Sequence, residues 1–209
     1  MNYLAHLYLS QADDDLALGN FIADFVKGNQ YKTFREGVAQ GILMHREIDF
    51  TTDNHPDYIS TKELFKSSHG RYSGIVTDIV FDYILAKDWE KRNRLSLSEF
   101  QSDVNTLILN NFKILPLKTK MMAPFFIRNK WLMLYAAPDT LHQVLSRMQR
   151  YRGVQGNSGE AISILMKHEA TIKKAFNSVV DTIFKQVVIK YQLTSKSHQS
   201  NKNSKIIRI

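Results

Sequence analysis

The sequence predicts an all-α fold, a single-domain helical bundle over residues 1–193 followed by a basic tail over 194–209. Three observations carry this. Apolar residues recur at three- and four-residue spacing through long segments, while the strict alternation of a half-buried strand is hard to find. The 209 residues are 44% hydrophobic, enough for one domain with one continuous core. Turn and capping residues fall between the periodic segments.

Taken in order, the pattern predicts helices over 14–27, 33–51, 57–69, 73–92, 96–110, 120–136, 138–151 and 157–190. Gly28-Asn29 closes the first, and Asn54-His55-Pro56 interrupts the chain after the second. The run SGIVTDIVFDYILAKDW makes the fourth apolar around most of its circumference, so at least one of its paired carboxylates is expected to face inward. Ser96 and Ser98 stand at the start of the fifth, and Pro116, Pro124 and Pro138 mark the later joints. From Thr194 onward the chain is polar and lysine-dotted, with too little apolar material to offset the entropy of ordering it, so a flexible tail is expected. No internal repeat of twenty to fifty residues is apparent, which argues against a solenoid.

Composition excludes several chemistries. No stretch approaches the roughly 18 consecutive apolar residues of a membrane span, and Met1–Ser10 lacks the layout of a signal peptide, so a cytoplasmic protein is expected. Cysteine is absent, which removes disulfides, thiolate zinc sites and a cysteine nucleophile. Any metal must sit on imidazole and carboxylate. The net charge of +8 is unevenly spread: residues 1–103 hold 11 basic and 16 acidic side chains, whereas 104–159 hold eight basic and one acidic. The acidic half and the basic middle therefore call for separate explanations.

The acidic half carries the candidate chemistry. On the second predicted helix Val38, Gly41, Ile42, His45 and Asp49 share one stripe, and His45 and Asp49, four apart, can offer a nitrogen and an oxygen to one ion. Asp53 continues the spacing. Asp78 and Asp82 repeat it on the greasy fourth helix, where buried carboxylates require a partner. Asn20 and Asp24 share a face of the first helix with Leu16, and His6 stands in the apolar run NYLAHLYLS. Oxygen ligands with one or two imidazoles suit Mn²⁺, Mg²⁺ or Fe²⁺. Plainer readings stand beside these: His6 as a satisfied core histidine, Asp24 as an amide acceptor near a helix end, and His45/Asp49 with Arg46 as an exposed ion-pair face.

The runs MNYLAHLYLS, LALGNFIADFVKG, GILMHREIDFTTDNHP and TDIVFDYILAKDW resemble, in order, the signature blocks of bacterial acyl carrier protein phosphodiesterases, and Trp131–Arg152 is similar more loosely. The resemblance implies removal of 4′-phosphopantetheine from the serine of holo acyl carrier protein with a divalent cation, Mn²⁺ above others, and a helical HD-like fold distantly related to HD phosphohydrolases. It implies Asp24, His45 and Asp78 as metal ligands with Asp49 beside them. His6 or Asp82 would orient the water or pass a proton, and Arg46 would balance phosphate charge. The adjacent His-Asp pair of HD enzymes is here His45-Arg46. Tyr8 and Tyr83 stand where many family members have His.

Lys118, Lys120, Arg128, Lys130, Arg147, Arg150 and Arg152 are the expected docking surface for the acidic carrier, with Trp131 and Tyr135 as aromatic anchors. Nucleic acid is not expected as a partner, because the aromatic pair is too sparse for a base-stacking platform, and a membrane is not expected, because no stretch is long enough to span one. Two rivals remain at this level: an HD-like phosphohydrolase acting on a nucleotide or other small phosphodiester, and a catalytically silent interaction protein.

Overall fold

A computed structural model of the chain describes residues 1–11, 13–152 and 157–192, with backbone alone at 138 and 147–152. The tail expected over 194–209 lies outside the described residues, as do the side chains of Arg147, Arg150 and Arg152. Among the described residues there is no strand, and the fold is all-α as predicted. No described helix is long and apolar enough to cross a membrane.

The chain opens with a short helix that the sequence pattern did not reveal, α1 (Tyr3–Ser10), capped by Asn2, whose side chain accepts from the Tyr3 amide. Eight residues that are apolar almost all round have no readable period, and only the cap residue marked the start. Helix α2 (Asp14–Ile22) begins at Asp13, which accepts from the amides of Asp15 and Leu16. It tightens into a 3₁₀ turn at Ala23–Phe25, so the predicted helix over 14–27 ends early. Gly28, with φ of 52°, opens a 3₁₀ segment at Gly28–Thr33 that leads into α3 (Glu36–Asp53).

His55 caps α4 (Pro56–Leu64), with Pro56 in the first turn where its missing N–H costs nothing. After the single turn α5 (Lys66–His69) comes α6 (Ser73–Lys87), buried on nearly every side. It packs against α1, α4 and the later helices. A short α7 (Trp89–Arg92) precedes α8 (Leu97–Asn110), whose Ser96/Glu99 capping box satisfies two amides reciprocally.

Pro124 does not form a joint. It lies inside α9 (Leu117–Arg128), where burial of Ala123 and Phe126 on either side holds the helix through the missing hydrogen bond. The turn Trp131–Tyr135 is 3₁₀ and follows a left-handed Lys130. The last elements are α10 (Pro138–Arg152) and α11 (Ser158–Ile183), the latter continuing through a π turn at Phe184–Val188. Leu165, Ile172, Phe176, Val179 and Ile183 bury one stripe of α11 in the core, and Phe176 meets Phe81 of α6 edge to face.

Candidate metal centre

Two glycines decide how the site assembles. A Cβ at Gly19 would stand 2.1 Å from the Val38 carbonyl oxygen, and one at Gly41 would stand 2.3 Å from that of Leu16. Helices α2 and α3 therefore touch backbone to backbone, a contact open only to glycine. That approach brings Asn20 and Asp24, on and just beyond α2, to His45 on α3. Helix α1 is fixed from below: both oxygens of Asp82 on α6 accept the amides of Leu4 and Ala5 at 2.9 and 3.0 Å. The carboxylate binds the free N–H groups of a helix N-terminus, so the buried Asp82 finds its partners in amides. Burial raises Asp82 to about 7, against the opposing pull of those amides and the Met1 amino group.

With α1 held there, His6 lies over His45, the rings nearly parallel with centroids 4.0 Å apart. Both imidazoles reach the same carboxylate: His6 Nε2 is 3.0 Å from Asp49 Oδ1, and His45 Nε2 is 3.1 Å from Asp49 Oδ2. Asp24 Oδ1 lies 3.4 Å from the same His45 nitrogen. His6 and His45 are buried, while the side chains of Asp49 and Asp24 keep 40% and 55% of their exposure, so the cluster opens to solvent through its acids.

Asn20, almost wholly buried, orients the pair. Its Nδ2 donates to the His6 main-chain carbonyl at 3.2 Å, so its Oδ1 faces His45 Nδ1, 3.0 Å away, and must accept from it. The proton of neutral His45 is thereby placed on Nδ1, leaving the Nε2 lone pair aimed at the cluster. Burial, with His45 alongside, lowers His6 to about 4, so it stands as a neutral donor. Burial also opposes a charge on His45, but hydrogen bonds to Asp24 and Asp49 outweigh it and raise that ring to about 9. Asp49 resists burial in the same way and is held far below the usual carboxylate range by the two histidines.

Asp78 is linked to this cluster through the Met1 amino group, which lies 3.2 Å from Asp78 Oδ1 and 3.5 Å from Asp49 Oδ1. Tyr58 donates to Asp78 at 2.9 Å. Burial opposes the ammonium charge, yet Asp78 and Asp49 raise the group to about 10. Arg46 turns to the Val26 carbonyl at 2.9 Å and covers the Tyr31 ring. Asp53 sits on the exposed last turn of α3. Of the residues singled out in the sequence, His6, His45, Asp49 and Asp24 come together directly, and Asp78 through Met1. The parts played by Asn20 and Tyr58 had no signal beyond a shared helix face for the first and none for the second.

One nitrogen from each of His6 and His45 and one Asp49 oxygen lie within 4.8 Å of one another, and this group can hold a metal ion. A donor set of two imidazole nitrogens and a carboxylate, with solvent access on one side, is that of open transition-metal sites. Fold and cluster together define an all-helical protein with a His-His-Asp cluster able to hold a metal ion. The acyl carrier protein phosphodiesterase family model matches residues 1–183. The chain belongs to that family. Acyl carrier protein phosphodiesterases of Serratia proteamaculans and Photorhabdus laumondii are 35% and 37% identical to it, over 73% and 72% of this chain and 79% and 76% of theirs. That of Yersinia pestis is 28% identical over 89% of this chain and 97% of its own. No solved structure matches.

Tyr8 and Tyr83, where the resemblance led us to expect His, occupy packing positions. Tyr8 meets Trp89 edge to face at 5.8 Å, and Tyr83 is buried with Lys87 over its ring. Among the expected docking residues, Lys118, Arg128 and Lys130 are exposed and Lys120 is half-buried. The expected anchor Tyr135 is buried, its hydroxyl accepting from Trp131 Nε1 at 3.1 Å, so this pair packs inward.

Proposed function

We propose that this protein hydrolyses the phosphodiester joining 4′-phosphopantetheine to the serine of holo acyl carrier protein, giving the apo carrier, in the cytoplasm. The observation that carries the reading is the convergence of His6, His45 and Asp49 in a chain of this family. In this account His6, His45 and Asp49 hold a divalent cation, Mn²⁺ before Mg²⁺ or Fe²⁺, with Asp24 as a further oxygen donor. Asp78 lies one contact beyond these donors and holds the Met1 amino group beside Asp49. A bound cation supplies Lewis acidity toward the phosphodiester and a water acidic enough to attack phosphorus near neutral pH.

The chain's own residues prepare the site. Asn20 presents the correct nitrogen of His45, and Asp82 holds α1 so that His6 faces Asp49. Two buried acceptors facing two backbone amides suit Asp82 to this positioning part better than to proton transfer. Arg46, next to His45 in the chain, would balance phosphate charge once it leaves the Val26 carbonyl.

The test is incubation of the purified protein with holo acyl carrier protein and Mn²⁺, followed by the intact mass of the carrier. Wild type removes the phosphopantetheine mass, and Asp49→Asn, which keeps shape but loses charge, turns over at least about a thousandfold more slowly, as loss of a metal-binding charge predicts. Hydrolysis confined to nucleotides or other small phosphodiesters, with the carrier's mass unchanged, contradicts the reading.

A further inference from the structure

Ten large apolar side chains are strongly exposed among the described residues, and six of them fall between Leu109 and Phe125. On α9, Leu117 and Met121 are each 74% exposed, and Phe125 is 45% exposed where it leans on Trp131. At 100° per residue these three fall within about 80° of arc, one stripe along the helix. The same helix buries Thr119, Ala123 and Phe126 on its opposite face, so the stripe is a second apolar face. The turn Phe112–Ile114 is tied beside it by the bond from Lys120 Nζ to the Lys113 carbonyl, at 2.8 Å. A contiguous exposed apolar patch of this kind marks an interaction surface.

The surrounding charge says what covers it. No acidic residue occurs between Asp103 and Asp139, while Lys113, Lys118, Lys120, Arg128 and Lys130 all lie in that interval. Lys118 and Lys120 border the stripe on its two sides. A second copy of the chain docking through the same face would set five cations against five, because a two-fold contact pairs a patch with itself. The occupant must be acidic and must offer apolar side chains of its own. Helix α9 rests on the start of α1, with Phe126 5.8 Å from the Tyr3 ring and the Tyr3 hydroxyl donating to Met122 at 3.3 Å. His6 follows Tyr3 by one turn, on the order of 5 Å along the helix. A protein seated on α9 is thus brought to the helix that carries the metal centre.

We propose that the Leu117/Met121 stripe of α9, bordered by Lys118 and Lys120, is the docking surface for an acidic helical protein, which on the function proposed above is the carrier portion of the substrate. Apolar contact gives residence and the lysines steer the encounter.

The experiment compares wild type, Leu117→Gln/Met121→Gln and Lys118→Glu, each checked for unchanged helicity. Their KM and kcat are measured on holo acyl carrier protein and on bis(4-nitrophenyl) phosphate with Mn²⁺, and their binding to apo acyl carrier protein by calorimetry. The double variant raises KM for the carrier about tenfold to a hundredfold and weakens apo-carrier binding equally, with kcat and the small substrate unchanged. Lys118→Glu raises KM less and flattens its dependence on salt. A double variant with the parent's KM and carrier affinity overturns the docking surface. So does retention of both alongside lost sedimentation with phosphatidylglycerol vesicles, since the stripe would then serve a membrane. A wild type that binds apo carrier but never cleaves the holo form defeats the functional reading and leaves the docking surface standing.

Discussion

The candidate metal centre and the outer face of α9 solve opposite problems. In the centre, groups that water would otherwise solvate are drawn inward and most acquire partners: His45 has Asn20, Asp82 has two amides, and Asp78 has Tyr58 and the Met1 amino group, while His6 Nδ1 is left without one. On α9, groups that a core would normally take are left outside, beside cations with no acidic side chain near them in sequence. The contrast teaches that a buried polar cluster is read from its partners, and an exposed apolar one from its neighbours' charge.

The two faces of α9 give the sharpest test of this difference. Phe126→Ala empties a fully buried site and is expected to cost about 4 kcal/mol, whereas Leu117→Ala on the exposed face should change stability by less than about 0.5 kcal/mol. Urea unfolding of both variants measures the gap, and equal losses would mean that the stripe belongs to the core. Gly19→Ala comes next. Its methyl meets backbone 2.1 Å away, so α2 and α3 must separate, at about 3 kcal/mol, and Mn²⁺ affinity should fall with stability because Asn20 and His45 move apart.

A smaller and more selective loss is expected from Asn20→Leu, which removes the acceptor from His45 Nδ1. Calorimetric titration of the metal-free protein with Mn²⁺ should show an affinity about 10- to 100-fold lower, as for other partners that orient a ligand imidazole. Asn20→Asp keeps an acceptor and should recover much of the loss. An affinity unmoved by Asn20→Leu would remove this residue from the site.

How much could be read beforehand follows the same division. The long amphipathic helices were legible from period alone, α11 above all, and the Ser96 cap was legible from residue type. Helix α1 was hidden because an eight-residue apolar run has no polar face to set its phase, so His6 could be named but not placed. Pro124 misled because tertiary packing carries α9 past a residue that breaks helices in isolation. His45 and Asp49 were legible as a four-residue pair on one helix. Their meeting with His6 was not, because it depends on Asp82 gripping amides 77 and 78 positions away along the chain. The exposed stripe was hidden by a predicted helix start at 120, which separated Leu117 from Met121.

The central claim is that both imidazoles, His6 from α1 and His45 from α3, bind the same ion. Electron spin-echo spectroscopy of Mn²⁺ bound to protein labelled with ¹⁵N-histidine tests it most directly. The account predicts coupling to two histidine nitrogens, reduced to one in His6→Ala and in His45→Ala alike; a single coupled nitrogen in wild type, unchanged by His6→Ala, would contradict it.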